Sequence, residues 1–337
     1  MTMITDAVPC IDLAPSFAPE GRRAVAEAIR DACETIGFFT IVGHGVPDAV
    51  IGDLQDQARR FFALPSEQKR RVPHPESRIS RGYFPPKHRA LSYSLGNAAP
   101  PDLQEGFAMG PVEPTPRYLV GTPAEAFFYA PNIWPDDLPG FRLAFETYFR
   151  TLDDLAAHIL RLFAVALGLD FTFFDDKTSH STSVMRAVWY PPQPEPPEPG
   201  QLRAGEHSDY GTLTILKGDD VPGGLQVKRR DGGWIDVHPR PDAFVCNIGD
   251  LMMRWTNDRW VSNLHRVANP PREFAEIGRL SIPFFHNPNA DALIECIPAF
   301  KGSAAKYPPC VFGDHYLGKH NKAAHMTTKP VLEARPA

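Results

Sequence analysis

In GEHSDYGTLTIL, residues 205–216, His207 and Asp209 stand two apart in a stretch that otherwise reads as a strand. Alternate side chains on a strand share a face, so the two would point one way and Ser208 the other. Such a pair is either a buried ion pair or part of a metal site. His265, in WVSNLHRVANP, follows 56 residues after Asp209 in a second strand-like setting. Two imidazoles and one carboxylate on one face of an octahedral ion leave three positions open, the donor set that suits oxygen chemistry at Fe(II).

Fourteen residues beyond His265, GRLSIPFF offers Arg279 and Ser281, again two apart. A guanidinium grips a carboxylate through paired charge-assisted hydrogen bonds, and a neighbouring hydroxyl adds a third donor. This pair can receive one end of a dicarboxylic acid. With the far carboxylate held there, the 2-oxo acid end of 2-oxoglutarate would chelate iron through two open positions and leave the third for O2.

The elements that position these residues are legible in outline. RRAVAEAIRDACETI, residues 22–36, sets Val25, Ile29, Ala32, Cys33 and Ile36 on one helical face before the stop signal Gly37. FFTIV then reads as a short buried strand, and GHGVP turns into a second helix carrying Val50, Leu54, Phe61 and Phe62. Residues 72–101 mix Pro, Arg, Gly, Ser and Asn without period and read as a long functional loop. From Phe141 to Leu167 apolar residues recur at three and four, predicting one long helix ended by Gly168. The C-terminal half changes texture: VMRAVWY, YGTLTIL, GLQVKR, WIDVHP, AFVCNIG and RLSIPFF are short runs between turn residues. They predict an all-β body, a barrel or sandwich, with PPQPEPPEPG as a loop between two of its strands.

Composition bounds the partners. A net charge of −5 with no long basic run argues against a nucleic-acid partner. No apolar run approaches membrane-spanning length, and the N-terminus lacks a signal-peptide pattern, so no membrane partner is expected. MTMITD resembles a vector-derived start and carries no weight. Five scattered cysteines, without Cys-x-x-Cys spacing, suit a reducing cytoplasm. No heptad run speaks to oligomeric state.

The order His207-Ser208-Asp209, His265, Arg279-Leu280-Ser281 resembles the iron- and 2-oxoglutarate-dependent oxygenase superfamily, in its isopenicillin N synthase-like branch. GTLTIL, GLQV, GGWIDVHPRPDAFVCNIGDLMMRWTN and SNLHRVANP are similar to its core strands, and IRDACETIGFFTIVGHGVP to its N-terminal region. DLQEGFAMG and PNIWP resemble its middle region, so the likeness covers nearly the whole chain. It implies a mainly β fold with flanking helices: a distorted double-stranded β-helix, or jelly roll, with a helical N-terminal region and one long supporting helix. The implied division is a dioxygenase-like region at 1–110, a linking segment with the long helix at 111–180, the oxygenase core at 181–300 and a tail at 301–337, all one structural domain.

Residue by residue, the resemblance implies that His207, Asp209 and His265 hold iron and that Arg279 and Ser281 clamp the remote carboxylate of 2-oxoglutarate. Tyr190 matches a tyrosine that adds a hydroxyl to that carboxylate in plant-type members. Those members usually carry Asn two residues earlier, where this chain has Val188. A filled carboxylate position at Asp209 disfavours halogenation. The expected reaction is oxygenation of a small molecule with succinate and CO2 as co-products, by hydroxylation, desaturation or ring closure. Three competitors remain open: an isopenicillin N synthase-like Fe(II) oxidase that uses no 2-oxoglutarate, a catalytically silent jelly-roll binding protein, and a zinc hydrolase. Tyr83, Phe107, Tyr210 and Phe285 are candidates for a substrate wall, and His238 and His286 are assigned to structure or the pocket. The entrance is expected from residues 72–107 and the tail after Phe300.

Overall fold

The stripe Val25, Ile29, Ala32 and Cys33 is buried on helix α1 (Arg22–Thr35) in the computed structural model, which describes residues 8–73, 79–88, 90–96, 99–229 and 231–327. The vector-like start, parts of the 72–101 stretch and the last ten residues of the tail lie outside the described residues. Gly37 ends α1 at φ +72°, donating its N–H to the Ala32 carbonyl. A side chain there would meet the Val261 carbonyl oxygen at 1.9 Å, so both conformation and space require glycine. Helix α2 (Asp48–Phe62) buries Leu54, Phe61 and Phe62 as expected.

Twelve strands build the two larger of three sheets among the described residues: β1 (Cys10–Asp12), β2 (Phe38–Val42), β3 (Gly82–Phe84), β4 (Glu105–Met109), β5 (Val184–Tyr190), β6 (Ala204–His207), β7 (Leu213–Gly218), β8 (Leu225–Lys228), β9 (Trp234–Asp236), β10 (Phe244–Ile248), β11 (His265–Val267) and β12 (Arg279–His286). The main sheet runs β1-β2-β10-β7-β12-β5-β4-β3 and the smaller one β6-β11-β8-β9. Every pairing is antiparallel except β1 with β2. This is the jelly roll that the resemblance implied. Its non-consecutive neighbours, such as β7 beside β12, bring distant segments to one cavity.

RLSIPFFH is apolar on both faces because β12 is covered on both. Leu280, Ile282 and Phe284 enter the core, where Phe284 meets Phe149 of the long helix edge-on at 5.1 Å. Ser281, Pro283 and Phe285 face the cavity between the sheets. The long helix, Phe141–Ala166, buries Phe145, Phe149, Leu152, Leu155, Ile159, Leu162 and Phe163 against α1, α2 and β12. Two expectations change. The 72–101 stretch is not loop throughout: it contributes β3, paired with β4, and a 3-10 turn at Leu91–Leu95. The tail carries a helix, Phe312–Thr327, whose Phe312 and Tyr316 rings pack on Phe128.

Candidate active site

Strand β6 ends at His207, and Asp209 lies in the turn leading to β7, so the continuous strand expected over 205–216 is broken. Both side chains still face one cavity. His265 opens β11 directly opposite His207, and Val267 pairs with Ala204. Three residue steps of β6 therefore match two of β11, a β-bulge that turns both His207 and Ala204 inward. The imidazole rings stand 4.3 Å apart, centroid to centroid.

The donor atoms are sorted by their neighbours. His207 Nδ1 lies 2.8 Å from the Gly205 carbonyl and His265 Nδ1 3.2 Å from that of Asn263, which fixes both tautomers with Nε2 facing inward. Asp209 Oδ2 accepts from Thr214 Oγ1 at 2.6 Å and from Asn247 Nδ2 at 2.7 Å. Its Oδ1 is left 4.0 Å from His207 Nε2 and 3.7 Å from His265 Nε2. Three ligand atoms within 4.8 Å of one another can hold a metal. Burial, and then His265, push His207 down to about 4, so at neutral pH it offers a lone pair and not a proton. Burial alone would raise Asp209, but the two histidines and its two hydrogen bonds bring it below the usual carboxylate range.

Thr214 and Asn247 were missed by sequence reasoning. They pair across β7 and β10 and are buried polar residues in otherwise apolar strands, which is the signal that could have found them. Removing the Asn247 amide frees Asp209 to rotate. Asn247→Ala is therefore expected to weaken Fe(II) binding about 10–100-fold, as read by anaerobic titration.

Arg279 stands opposite Tyr190, and Ser281 opposite Val188 and Gly218. Tyr190 and Ser281 line the cavity, whereas Arg279 lies just beneath the lining. The Arg279 guanidinium is buried, and its Nε, Nη1 and Nη2 have no hydrogen-bond partner among the described residues. A side chain on Gly218 would meet Nη2 at 2.8 Å, so the missing Cβ leaves the guanidinium its room. A second guanidinium, unforeseen in the sequence, belongs to Arg203: buried, with Nε and Nη1 unpartnered, and pressed down to about 10 by burial and by Arg279. Each Cζ lies 5.7 Å from the centre of the Tyr190 ring. Two buried cations without a carboxylate are costly unless an anion joins them. Burial pushes the Tyr190 hydroxyl up to about 12, so it remains a donor. Val188 offers no hydrogen bond and packs with Tyr190, Ala204 and Val267.

The cavity holds about 370 Å³, a size suited to small molecules. Of the four wall candidates, Tyr210 and Phe285 line it, while Tyr83 and Phe107 are buried in the core beside Phe61. His238 is exposed and His286 is buried against Thr212, and neither lines the cavity. Asp250, in NIGD, opens a short helix, accepts from Ser262 and meets Lys319 of the C-terminal helix. That helix sets Tyr316 on the cavity wall, 6.0 Å from the Tyr210 ring. His88, Leu91 and Gln104 join the lining from the 72–107 stretch. Both segments thus border the cavity, as the sequence suggested.

Comparison with known proteins agrees with this geometry. Residues 8–137 match the family model described as non-haem dioxygenase in morphine synthesis N-terminal, and residues 180–288 that of the 2OG-Fe(II) oxygenase superfamily. The chain is 35% identical over 332 residues to the 2-oxoglutarate-Fe(II) type oxidoreductase hxnY of Emericella nidulans, covering 95% of this chain and 91% of that protein. It is 33% identical to validamycin A dioxygenase of Streptomyces hygroscopicus subsp. limoneus, covering 94% and 87%. A full-length Neurospora crassa protein crystallised with alpha-KG and thymine superposes with a TM-score of 0.80 at 30% identity, covering 96% and 99%. On these matches, across both halves of the chain, the protein belongs to the 2OG-Fe(II) oxygenase superfamily.

Proposed function

We propose that His207, Asp209 and His265 are the iron ligands of this 2-oxoglutarate-dependent oxygenase, and that Arg279, Ser281 and Tyr190 hold the remote carboxylate of the cosubstrate. The observation that carries the reading is the conjunction of two sets of ligand-binding groups. Two Nε2 atoms and one carboxylate oxygen converge, and a buried guanidinium in the adjoining wall makes no hydrogen bond within the described residues. The donor chemistry of each set fits a group that the family uses.

Fe(II) bound there supplies oxygen activation coupled to decarboxylation of 2-oxoglutarate. The net change is R–H + O2 + 2-oxoglutarate → R–OH + succinate + CO2, with desaturation or ring closure where the substrate is held away from hydroxyl transfer. The chain's own part is positional. Gly205 and Asn263 carbonyls orient the two imidazoles, and Thr214 with Asn247 turn one oxygen of Asp209 toward them. Val188, Leu216, Val267 and Phe285 keep the surrounding wall apolar, which excludes water from the reacting centre.

An oxidase that uses no 2-oxoglutarate is set aside, because similar proteins are named for 2-oxoglutarate and similar structures hold alpha-KG. Thymine bound to one of these proteins and validamycin A in the name of another support a small-molecule substrate without naming one. We further propose that the four sequence regions act as one domain, since β1–β4 complete the same sheet as β5 and β12. We place the protein in the cytoplasm, with five unpaired thiols in support, and assign it no nucleic-acid or membrane partner. Among the described residues no helix is long and apolar enough to cross a membrane.

Anaerobic addition of Fe(II) and then 2-oxoglutarate to metal-free protein is expected to raise a weak visible charge-transfer band, and air to release succinate. Iron binding without the band would remove the cosubstrate from the proposal.

A further inference from the structure

Arg186 is the one arginine or lysine among the described residues that line the cavity, and Asp209 the one carboxylate. Val184, Arg186, Val188 and Tyr190 all face inward from β5, as strand alternation requires. Arg186 and Tyr190 are four residues apart, so the guanidinium springs from the strand roughly 13 Å from the tyrosine that marks the cosubstrate end. Arg186 thus stands at the opposite end of β5 from Tyr190, behind which Arg279 is buried, and the His207, Asp209 and His265 donors share the same cavity.

Arg186 is held in place but not neutralised. Its Nη2 donates to Ser80 Oγ at 2.9 Å, and its guanidinium sits 5.7 Å above the Phe84 ring. Nε is buried without a partner, burial lowers the pKa of the guanidinium, and Tyr316 and Asp209 act on it in the opposite sense through space. With Nε closed off and Nη2 engaged by Ser80, Nη1 is the donor left for a ligand, and a fixed guanidinium on a cavity wall matches a carboxylate. The nearby wall is apolar and aromatic: Val184, Leu216, Tyr210 and Phe285. Arg279 and its neighbours account for the dianionic cosubstrate, so an anion at Arg186 must arrive on a second molecule.

We infer that Arg186 is the anchor for the primary substrate, and that this substrate is a small carboxylic acid with a compact apolar or aromatic body. The inference rests on the iron and 2-oxoglutarate reading above. The acid group lies at Arg186, the body packs between Tyr210 and Phe285, and the C–H bond that is oxidised is at the end remote from the carboxylate.

The test uses protein loaded anaerobically with Fe(II) and 2-oxoglutarate, titrated with matched acids and amides: benzoate and benzamide, phenylacetate and phenylacetamide, cinnamate and cinnamamide. Binding is read by calorimetry and by perturbation of the chelate band. At least one acid is expected to bind below about 1 mM, the upper end of ordinary KM values, and at least about tenfold tighter than its amide. Arg186→Gln should bring acid and amide to parity with the chelate band intact, and Arg186→Lys should restore part of the preference. Equal binding of acids and amides, no acid binding below that limit, or a preference that survives Arg186→Gln would overturn the inference. If the Gln variant fails to fold, the wild-type ratio and the Lys variant still decide. Absence of the chelate band in the wild type would instead count against the parent reading, so the two failures are distinguishable.

Discussion

Arg279→Met is expected to weaken 2-oxoglutarate binding while raising the melting temperature of the cosubstrate-free protein. The two effects have one cause. In the free protein the guanidinium is buried with three nitrogens unpartnered, beside a second guanidinium from Arg203. Methionine fills similar space with no charge to desolvate, so the ligand-free fold should gain. With 2-oxoglutarate present the same change deletes a charge-assisted contact to a buried carboxylate, and such truncations cost about 2–5 kcal/mol. At about 1.4 kcal/mol per tenfold, Kd should rise roughly 30- to 4000-fold. Anaerobic titration of the chelate band gives the affinity, and thermal melts with and without 2-oxoglutarate give the stability. An unchanged Kd in a folded variant would place the clamp elsewhere. An unchanged ligand-free melt would show that the guanidinium finds partners in solution, leaving the affinity argument to stand alone.

The site was legible in the sequence where it depends on residue type at short spacing, and hidden where it depends on which segments meet. His207, Asp209, His265, Arg279 and Ser281 each sit at or near a strand end or start, and their order survives in the linear text. The turn after His207 was not legible, because GTLTIL continues the alternation that makes the whole stretch look extended. Strand β3 is three residues long, too short to show a period, and lies among prolines and arginines. Arg186 was masked by VMRAVWY, an apolar run in which one arginine reads as an exposed edge. Only pairing with β4 and β12 shows that its face is the cavity wall. Arg203 follows the proline-rich loop with no periodic run to place it, and it is fully buried beside Tyr190. The wall candidates divide for the same reason: Tyr83 and Phe107 belong to β3 and β4, where their rings turn toward Phe61 and the helices. Aromatic identity alone carries no information about which face is the cavity.

The alternatives posed by His207 and Asp209, a buried ion pair or part of a metal site, separate cleanly in Asp209→Asn. Thr214 and Asn247 both donate to Oδ2, so in the variant they select the rotamer that puts the amide oxygen at that position. The amide nitrogen then faces His207 and His265. It has no lone pair for a metal, so Fe(II) affinity should fall by more than the 10–100-fold expected from loss of a supporting hydrogen bond. The fold should survive, because both donors keep their acceptor. If the pair were a structural salt bridge, the same substitution would strand a buried charge and destabilise the metal-free protein by about 3–5 kcal/mol. The suppressed pKa of His207, about 4, argues against that outcome: at neutral pH the imidazole carries no charge to lose. Competition titration with an Fe(II) chelator and thermal melts of metal-free protein distinguish the cases. Wild-type protein should melt higher when Fe(II) is added, and the variant should not, since only a ligand that binds the folded state shifts the transition. A variant that keeps wild-type iron affinity would remove Asp209 from the metal site. A variant that unfolds without metal would return the pair to a structural role.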